Sequence, residues 1–172
     1  MNFALAYPQR AAGLVMVCSS PGGFKYDGES PPIWEEIITA FEAGDLETTA
    51  RLETQLWAVG TRRQPEEVPT AIRDLVTEMD LIALTKEVAG VGDESGIEPP
   101  AAGRLDELHL PVLVLVGELD SPATFAAGNL MLGLIAGART VVIPNTAHLP
   151  NMEQPELFNR LVLDFLRDVV QA

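Results

Sequence analysis

Cysteine and histidine are scarce in this sequence of 172 residues. It contains one cysteine, Cys18, and two histidines, His109 and His148, which lie far apart along the chain. A lone cysteine excludes a disulfide framework and fits a reducing compartment. The three residues also lack the close spacing that zinc ligands show in a sequence, so we expect no metal site.

Basic residues and long apolar runs are scarce as well. The chain has 11 Lys and Arg against 25 Asp and Glu, which gives a net charge of −14. Such a chain repels phosphate groups, so we expect no nucleic-acid partner and no anionic membrane surface. No apolar run approaches the roughly 18 residues that span a bilayer. The opening MNFALAYPQR lacks the basic and apolar regions of a signal peptide. We therefore expect a cytoplasmic location.

The apolar residues that are present concentrate in three short runs. They read GLVMVC (13–18), PVLVLVG (111–117) and TVVIP (140–144), and they are rich in β-branched residues. Apolar runs without alternation are typical of strands that are buried on both faces. The sequence therefore predicts an α/β fold, with a short, mostly parallel sheet flanked by helices.

Helices are predicted on both sides of the last run. Ser121 can cap a helix over 122–136 and Pro122 suits its first position, which makes a right-handed βαβ unit with the strands around it. The segment 154–170 has apolar residues at helical spacing and should pack on the sheet. No glycine-rich nucleotide-binding motif accompanies these elements.

Between the first two runs the pattern is helical. We expect one helix over 31–43 started by Ser30, a second over 46–59 capped by Asp45, and a third over 65–88, followed by a flexible loop over 90–103. A helical insertion of this kind commonly covers the carboxyl ends of the strands, where ligands bind. The predicted organisation is a core of residues 1–29 and 104–172 with a helical lid of residues 30–103.

An acid and a histidine follow the last two strands at the same edge of the sheet. Asp120 lies four residues after Val116 and His148 five after Ile143, so these side chains should meet. An ionised Asp fixes one imidazole nitrogen and leaves the other free to take a proton. Glu118 is a rival acid. A loop Asp is also commonly a helix cap and a loop His a surface residue.

Three apolar residues are candidate substrate contacts. They are Trp34, Trp57 and Leu149. Tryptophans on helices more commonly anchor helices to one another, and both interpretations of Trp34 and Trp57 stay open.

The chain resembles the C-terminal part of α/β-hydrolase-fold enzymes, a group that includes lactonases, esterases, dehalogenases and C–C bond hydrolases. LHLPVLVLVGELDSP is similar to the seventh strand and catalytic-acid turn of that fold. ARTVVIPNTAHLPNMEQPELFNRLVLDFL is similar to its eighth strand, catalytic-histidine loop and closing helix, and FALAYPQRAAGLVMVCSSPGG to the segment around its sixth strand. The resemblance implies that Asp120 and His148 are catalytic, that no cofactor is needed, and that the substrate is a small molecule.

The nucleophile of that fold has no counterpart in the sequence. Its serine lies on a G-x-S-x-G turn, and the five serines of this chain, Ser19, Ser20, Ser30, Ser95 and Ser121, all lack those glycines. Cys18 is more typical of an inert buried thiol. We expect the nucleophile within about ten residues upstream of Met1, and expect the isolated chain to be inactive.

The same comparison implies that the strand at 13–18 has an unpaired apolar edge. Such an edge favours self-association or pairing with an N-terminal half. Two other interpretations remain open. The chain is then either a non-enzymatic half-domain or binding module that assembles with another polypeptide, or a different doubly wound protein in which Asp120 and His148 are ordinary loop residues.

Overall fold

The three apolar runs form the three strands of a parallel sheet in the computed structural model, which describes residues 1–92 and 96–171. The strands are β1 (Leu14–Val17), β2 (Val112–Gly117) and β3 (Arg139–Ile143), in the order β1-β2-β3. The central strand β2 is buried along its whole length. The predicted short parallel sheet is therefore confirmed.

Helices cover both faces of β2. On one face Val112, Val114 and Val116 pack with α1 (Asn2–Ala6) and α5 (Pro122–Leu134). On the other face Leu113 and Leu115 pack with α7 (Pro155–Gln171), whose Phe165 is buried. Because side chains alternate between the faces of a strand, this burial explains why the run is apolar at every position.

The helix of the βαβ unit, α5, begins with the cap and the proline that the sequence predicts. The Ser121 hydroxyl accepts a hydrogen bond from the Thr124 N–H at 3.2 Å, and Pro122 is the first helical residue. The helix ends at Leu134, two residues earlier than expected, and Gly137 follows with φ +78°. As predicted, β2, α5 and β3 follow one another along the chain, and the two strands pair in parallel.

The middle of the chain forms three helices, and α3 packs against both others. They are α2 (Ile33–Glu42), α3 (Leu46–Thr54) and α4 (Thr70–Val88). Asp45 caps α3 by accepting a hydrogen bond from the Thr48 N–H at 3.1 Å. The expected cap at Ser30 is wrong, because α2 begins three residues later, with Pro32 as the residue before it.

The other two helices are also shorter than the sequence pattern predicts. After Thr54 the chain continues as a wider π-helical turn, Gln55–Val59, and leaves it at Gly60, whose φ is +81°. The third predicted helix divides into a 3-10 turn, Pro65–Glu67, and α4. The break lies at Val68, which is extended because the following proline disfavours helical backbone at that position.

The remaining described segments hold three 3-10 turns, Pro8–Arg10, Ala101–Gly103 and Leu105–Glu107, and one further short helix. Ala101–Gly103 form a 3-10 turn, and Ala101 is fully buried in the core beside α1, so this end of the expected flexible loop is packed. Residues 93–95, which include Ser95, lie outside the described residues. A short helix, α6 (Pro150–Glu153), precedes α7 and was not predicted. Within residues 1–92 and 96–171, no helix combines the length and apolarity needed to cross a bilayer.

Candidate active site

Asp120 lies in the turn that links β2 to α5. Its carboxylate is almost fully buried, with 3% of the side chain exposed. Oδ1 accepts hydrogen bonds from the Ser121 N–H at 2.6 Å and from the Thr124 hydroxyl at 3.0 Å. The start of α5 therefore holds the carboxylate in one orientation.

His148 meets this carboxylate from the loop after β3. Its Nδ1 lies 2.9 Å from Asp120 Oδ2 and 3.2 Å from Oδ1. An ionised carboxylate only accepts hydrogen bonds, so Nδ1 carries a proton, and in the neutral imidazole Nε2 is left with its lone pair. About a quarter of the histidine side chain is exposed. The predicted meeting of Asp120 and His148 is confirmed.

The environment keeps Asp120 ionised. Burial alone raises the pKa of a carboxyl group, and here it is the largest single influence. The hydrogen bond and the charge interaction with His148, together with the bonds from Ser121 and Thr124, outweigh it. The pKa of Asp120 is therefore lowered below its ordinary value, and the group stays an acceptor for His148.

Glu118, the rival acid, has a different partner. Its Oε2 accepts a hydrogen bond from the Asn145 N–H at 2.9 Å, and Asn145 has a left-handed backbone with φ +56°. The Glu118 carboxylate therefore supports the turn that carries His148, while the Asp120 carboxylate is hydrogen-bonded to the imidazole. Sequence spacing alone did not separate these two acids.

Two tryptophans lie beside the histidine. The ring centroids of Trp57 and His148 are 4.5 Å apart. The backbone N–H of His148 also donates a hydrogen bond to the backbone carbonyl of Trp57 at 3.2 Å. Trp34 meets Trp57 edge-on with centroids 5.7 Å apart. Both tryptophans line a cavity of about 580 Å³ that also reaches His148. They therefore contact one another and a cavity at once, so the two interpretations from the sequence are compatible.

The cavity is largely apolar. Its wall includes the aromatic and aliphatic side chains of Phe24, Tyr26, Trp34, Leu56 and Trp57. Ser19, Ser20 and Ser30 add hydroxyl groups, and Glu29 adds a negative charge. Leu149 lies at the start of α6, partly buried, and is not among the cavity-lining residues that the structure describes.

Cys18 lies beside the acid and the histidine. It follows β1 with φ +43°, and its Sγ, an Asp120 oxygen and a His148 ring nitrogen all lie within 4.8 Å of one another. Burial, helped by the negative charge of Asp120, raises the pKa of the thiol well above its ordinary value. The protonated thiol is a poor nucleophile, and the Asp120 carboxylate and the His148 Nδ1 beside it are hydrogen-bonded to each other.

Two further residues near the histidine loop were missed by sequence reasoning. Arg63 and Glu153 form an ion pair at 2.6 Å, and Glu153 Oε1 accepts a hydrogen bond from the Ala147 N–H at 2.8 Å. Glu153 lies in the quoted histidine segment, but Arg63 lies in no quoted segment, and 90 residues separate the two. Only the folded chain shows that they meet next to His148.

Several curated proteins are similar to the chain over almost its whole length, although no protein-family profile matches it. The chain is 28% identical to a "Putative 2-succinyl-6-hydroxy-2,4-cyclohexadiene-1-carboxylate synthase" of Bacillus subtilis, over 98% of this chain and 61% of that protein. It is 29% identical to a "Pimeloyl-[acyl-carrier protein] methyl ester esterase" of Yersinia enterocolitica, over 95% of this chain and 63% of that protein. The chain thus spans less than two thirds of these relatives' length.

The solved structures that are similar to the chain include an esterase and another hydrolase. A thermophilic esterase from Thermogutta terrifontis superposes with a TM-score of 0.65 at 28% identity, over 97% of this chain and 60% of that one. A hydrolase from Pseudomonas aeruginosa gives 0.64 at 27% identity, over 95% and 58%. The relatives and neighbours are α/β-hydrolase-fold esterases and hydrolases. This chain has that fold, and the resemblance found in its sequence is confirmed.

Proposed function

We propose that this chain carries the acid and the base of a small-molecule hydrolase that uses a Ser-His-Asp mechanism. The observation that carries the proposal is the hydrogen bond of 2.9 Å between Asp120 and His148, with the histidine at the wall of the cavity. A buried, ionised acid and a partly exposed imidazole are the pair that such a mechanism needs. Trp34 and Trp57 contact the substrate in this proposal.

Each group has a defined task in the reaction. His148 Nε2 takes the proton of a serine hydroxyl as the serine oxygen attacks the substrate carbonyl, and the imidazolium then gives that proton to the leaving alkoxide. Asp120 holds the tautomer and stabilises the imidazolium without accepting the proton. In the second half, His148 activates the water that releases the acyl group. Side chains and water suffice, so no cofactor is required.

The serine comes from outside this sequence in our proposal. The chain has no G-x-S-x-G turn and spans about three fifths of its relatives' length. A polypeptide segment that pairs with the free side of β1 would bring the serine and the oxyanion-hole donors to the same edge of the sheet as His148. In this proposal the helical segment, described over residues 30–92 and 96–103, acts as a lid, and its Trp34, Leu56 and Trp57 lie at the cavity wall.

The cavity favours a small, partly apolar ester or lactone. The aromatic and aliphatic side chains in its wall, among them Phe24, Leu56 and the two tryptophans, suit an apolar acyl or alcohol group. An esterase among the relatives and among the structural neighbours supports the same class.

Hydrolysis of a short-chain p-nitrophenyl ester tests the proposal. The 172-residue chain is compared with a version that is extended upstream in frame, and we expect activity only in the extended protein. His148→Ala should abolish it, and Asp120→Asn should lower kcat by roughly 10⁴-fold through the wrong tautomer. Glu118→Gln is the matched control, because its amide oxygen can still accept the hydrogen bond from Asn145, and it should retain activity.

Three other results would change the assignment. Activity in the short chain that depends on His148 would mean that the nucleophile is here, with Cys18, Ser19 and Ser20 as the residues to test. Equal activity of Asp120→Asn and the unmodified extended protein would remove the acid from the mechanism. If no ester is hydrolysed by either protein, the non-enzymatic half-domain becomes the better interpretation.

A further inference from the structure

Arg63 and Glu153 form a buried ion pair next to the histidine loop. Arg63 Nη2 lies 2.6 Å from Glu153 Oε2, and each side chain is only 7% exposed. Burying two charges is costly unless further hydrogen bonds satisfy them. The partners of each group therefore show what the pair holds in place.

Arg63 binds two segments of the chain. Its Nε donates to the Val59 carbonyl and its Nη2 to the Ala58 carbonyl, both at 2.7 Å. Its Nη1 donates to the Asn145 carbonyl at 3.2 Å. The guanidinium group thus connects the wide turn Gln55–Val59 with the loop that precedes His148.

Glu153 binds the same loop from the other side. Its Oε1 accepts the hydrogen bond from the Ala147 N–H at 2.8 Å, while Oε2 pairs with Arg63. Ala147 is the neighbour of His148 in the chain. Both carboxylate oxygens are therefore used, and the backbone on the N-terminal side of the histidine is held at two points.

The wide turn that Arg63 holds also carries Trp57, whose ring lies against the imidazole and whose carbonyl accepts from the His148 N–H. We propose that Arg63 and Glu153 are positioning residues that fix His148 between Asp120 and Trp57. This role rests on the proposed function, since it concerns the histidine that acts as base. Neither residue touches the reacting atoms in this proposal.

A purely structural ion pair is the alternative. In that case replacing both charges by apolar side chains of similar size would leave the histidine as it is, because such replacements are often neutral for stability. The two interpretations differ in the behaviour of the imidazole itself. The measurement must therefore report on His148 and not only on folding.

The Nδ1–H proton of His148 provides that measurement by nuclear magnetic resonance of the ¹⁵N-labelled 172-residue chain. The chain has two histidines, so the spectrum of His148→Ala assigns the signal. Its exchange with solvent reports how often the bond to Asp120 opens. No substrate or nucleophile is involved, so the outcome is independent of whether the complete protein hydrolyses esters.

Two variants test the pair. The double variant Arg63→Met/Glu153→Leu removes both buried charges, so neither is left without a partner. We expect it to fold, and we expect its His148 Nδ1–H to exchange about ten-fold faster or more than in the unmodified chain. Glu153→Gln still accepts from Ala147 but loses the charge pair, and we expect an intermediate increase of about three-fold. Circular dichroism identifies the folded variants.

The role is overturned if either variant is folded and its Nδ1–H exchanges at the rate of the unmodified chain. It is also overturned if the unmodified chain shows no protected Nδ1–H signal, because the histidine would then not be held. Exposed Arg167→Met, which loses only a surface pair with Asp164, is the matched control and should leave the exchange rate unchanged.

Discussion

The indole of Trp57 lies against the imidazole of His148, with ring centroids 4.5 Å apart and planes inclined by 41°. Trp57 comes from the helical middle of the chain, and His148 comes from the loop after the last strand. The contact therefore joins the helical middle of the chain to the histidine at the edge of the sheet. A change in the position of these helices must change the surroundings of the histidine.

A double-mutant cycle measures this contact. Trp57→Ala and His148→Ala should each destabilise the chain, and their combined effect should be smaller than the sum by about 1 kcal/mol, the usual worth of an aromatic pair. Urea unfolding gives the free energies. His109→Ala replaces His148→Ala in the control cycle. Because His109 precedes β2 and lies at the opposite end of the strand, that cycle should be additive within about 0.5 kcal/mol.

The sheet was predictable because its signal is local. Each strand is a short apolar run, and in β2 every residue faces one of two helical layers, so its burial appears directly in the composition of the run. The helix caps at Asp45 and Ser121 were also readable, because a cap and its N–H partner lie within three residues. The pairing of Asp120 with His148 followed from one rule, that parallel strands end at the same edge of a sheet.

Contacts without a local signal were not predictable. The turn Gln55–Val59 departs from the α-helix that its sequence favours, and this turn places the Trp57 carbonyl against the His148 N–H. The choice between Asp120 and Glu118 depends on which carboxylate faces the imidazole and which faces Asn145. Such choices are made by tertiary packing, so periodicity cannot show them.

Asp120 should stabilise the chain at neutral pH and lose that effect in acid. Its pKa is lowered in the folded chain, so its contribution is present above the unfolded value of about 3.9 and disappears as the pH falls through the lower folded value. Asp120→Asn should cost roughly 2 kcal/mol at pH 7, as expected for a buried bond between charged groups.

Urea unfolding of the two proteins across pH 7 to pH 2.5 provides the measurement for Asp120. Their difference in unfolding free energy should be constant near neutral pH and should shrink below about pH 4. Glu118→Gln again serves as the control for the loss of one negative charge. An Asp120→Asn deficit as large at pH 2.5 as at pH 7 would contradict the assigned cause.

Glu53 should act in the opposite direction. Burial, the hydrogen bond with Asp80, and the charges of Asp80 and Glu87 raise its pKa to about 7. The favourable contribution of its protonated form is complete below the unfolded value of about 4.3 and is lost as the pH rises through about 7. Glu53→Gln cannot ionise, so it should be more stable than the unmodified chain at pH 8 and should lose this advantage near pH 4.5.

The melting temperatures of the two proteins at pH 4.5 and pH 8 test this expectation for Glu53. Glu78→Gln, at an exposed position on α4, controls for the removal of one negative charge from this acidic chain. If Glu53→Gln gives the same change in melting temperature at both pH values, the pKa of Glu53 is not raised in the folded chain.

Gly117 is the position where the sheet and the histidine loop approach most closely. A Cβ atom at this residue would lie 2.6 Å from the Thr146 carbonyl oxygen and would meet the Ala147 carbonyl even more closely. Both contacts are with backbone, which cannot move without shifting His148. Gly117→Ala should therefore destabilise the chain by about 3 kcal/mol and displace the histidine from Asp120.

Gly133 offers the matched substitution. It lies within α5, and a Cβ there would have no neighbour within 4 Å. Gly133→Ala should stabilise the chain by about 0.5–1 kcal/mol, since alanine loses less conformational freedom in a helix. Urea unfolding separates the two effects, and the protected Nδ1–H signal of His148 should persist in Gly133→Ala and vanish in Gly117→Ala. A stable Gly117→Ala protein that keeps the signal would show that the loop can move away while the Asp120–His148 bond survives.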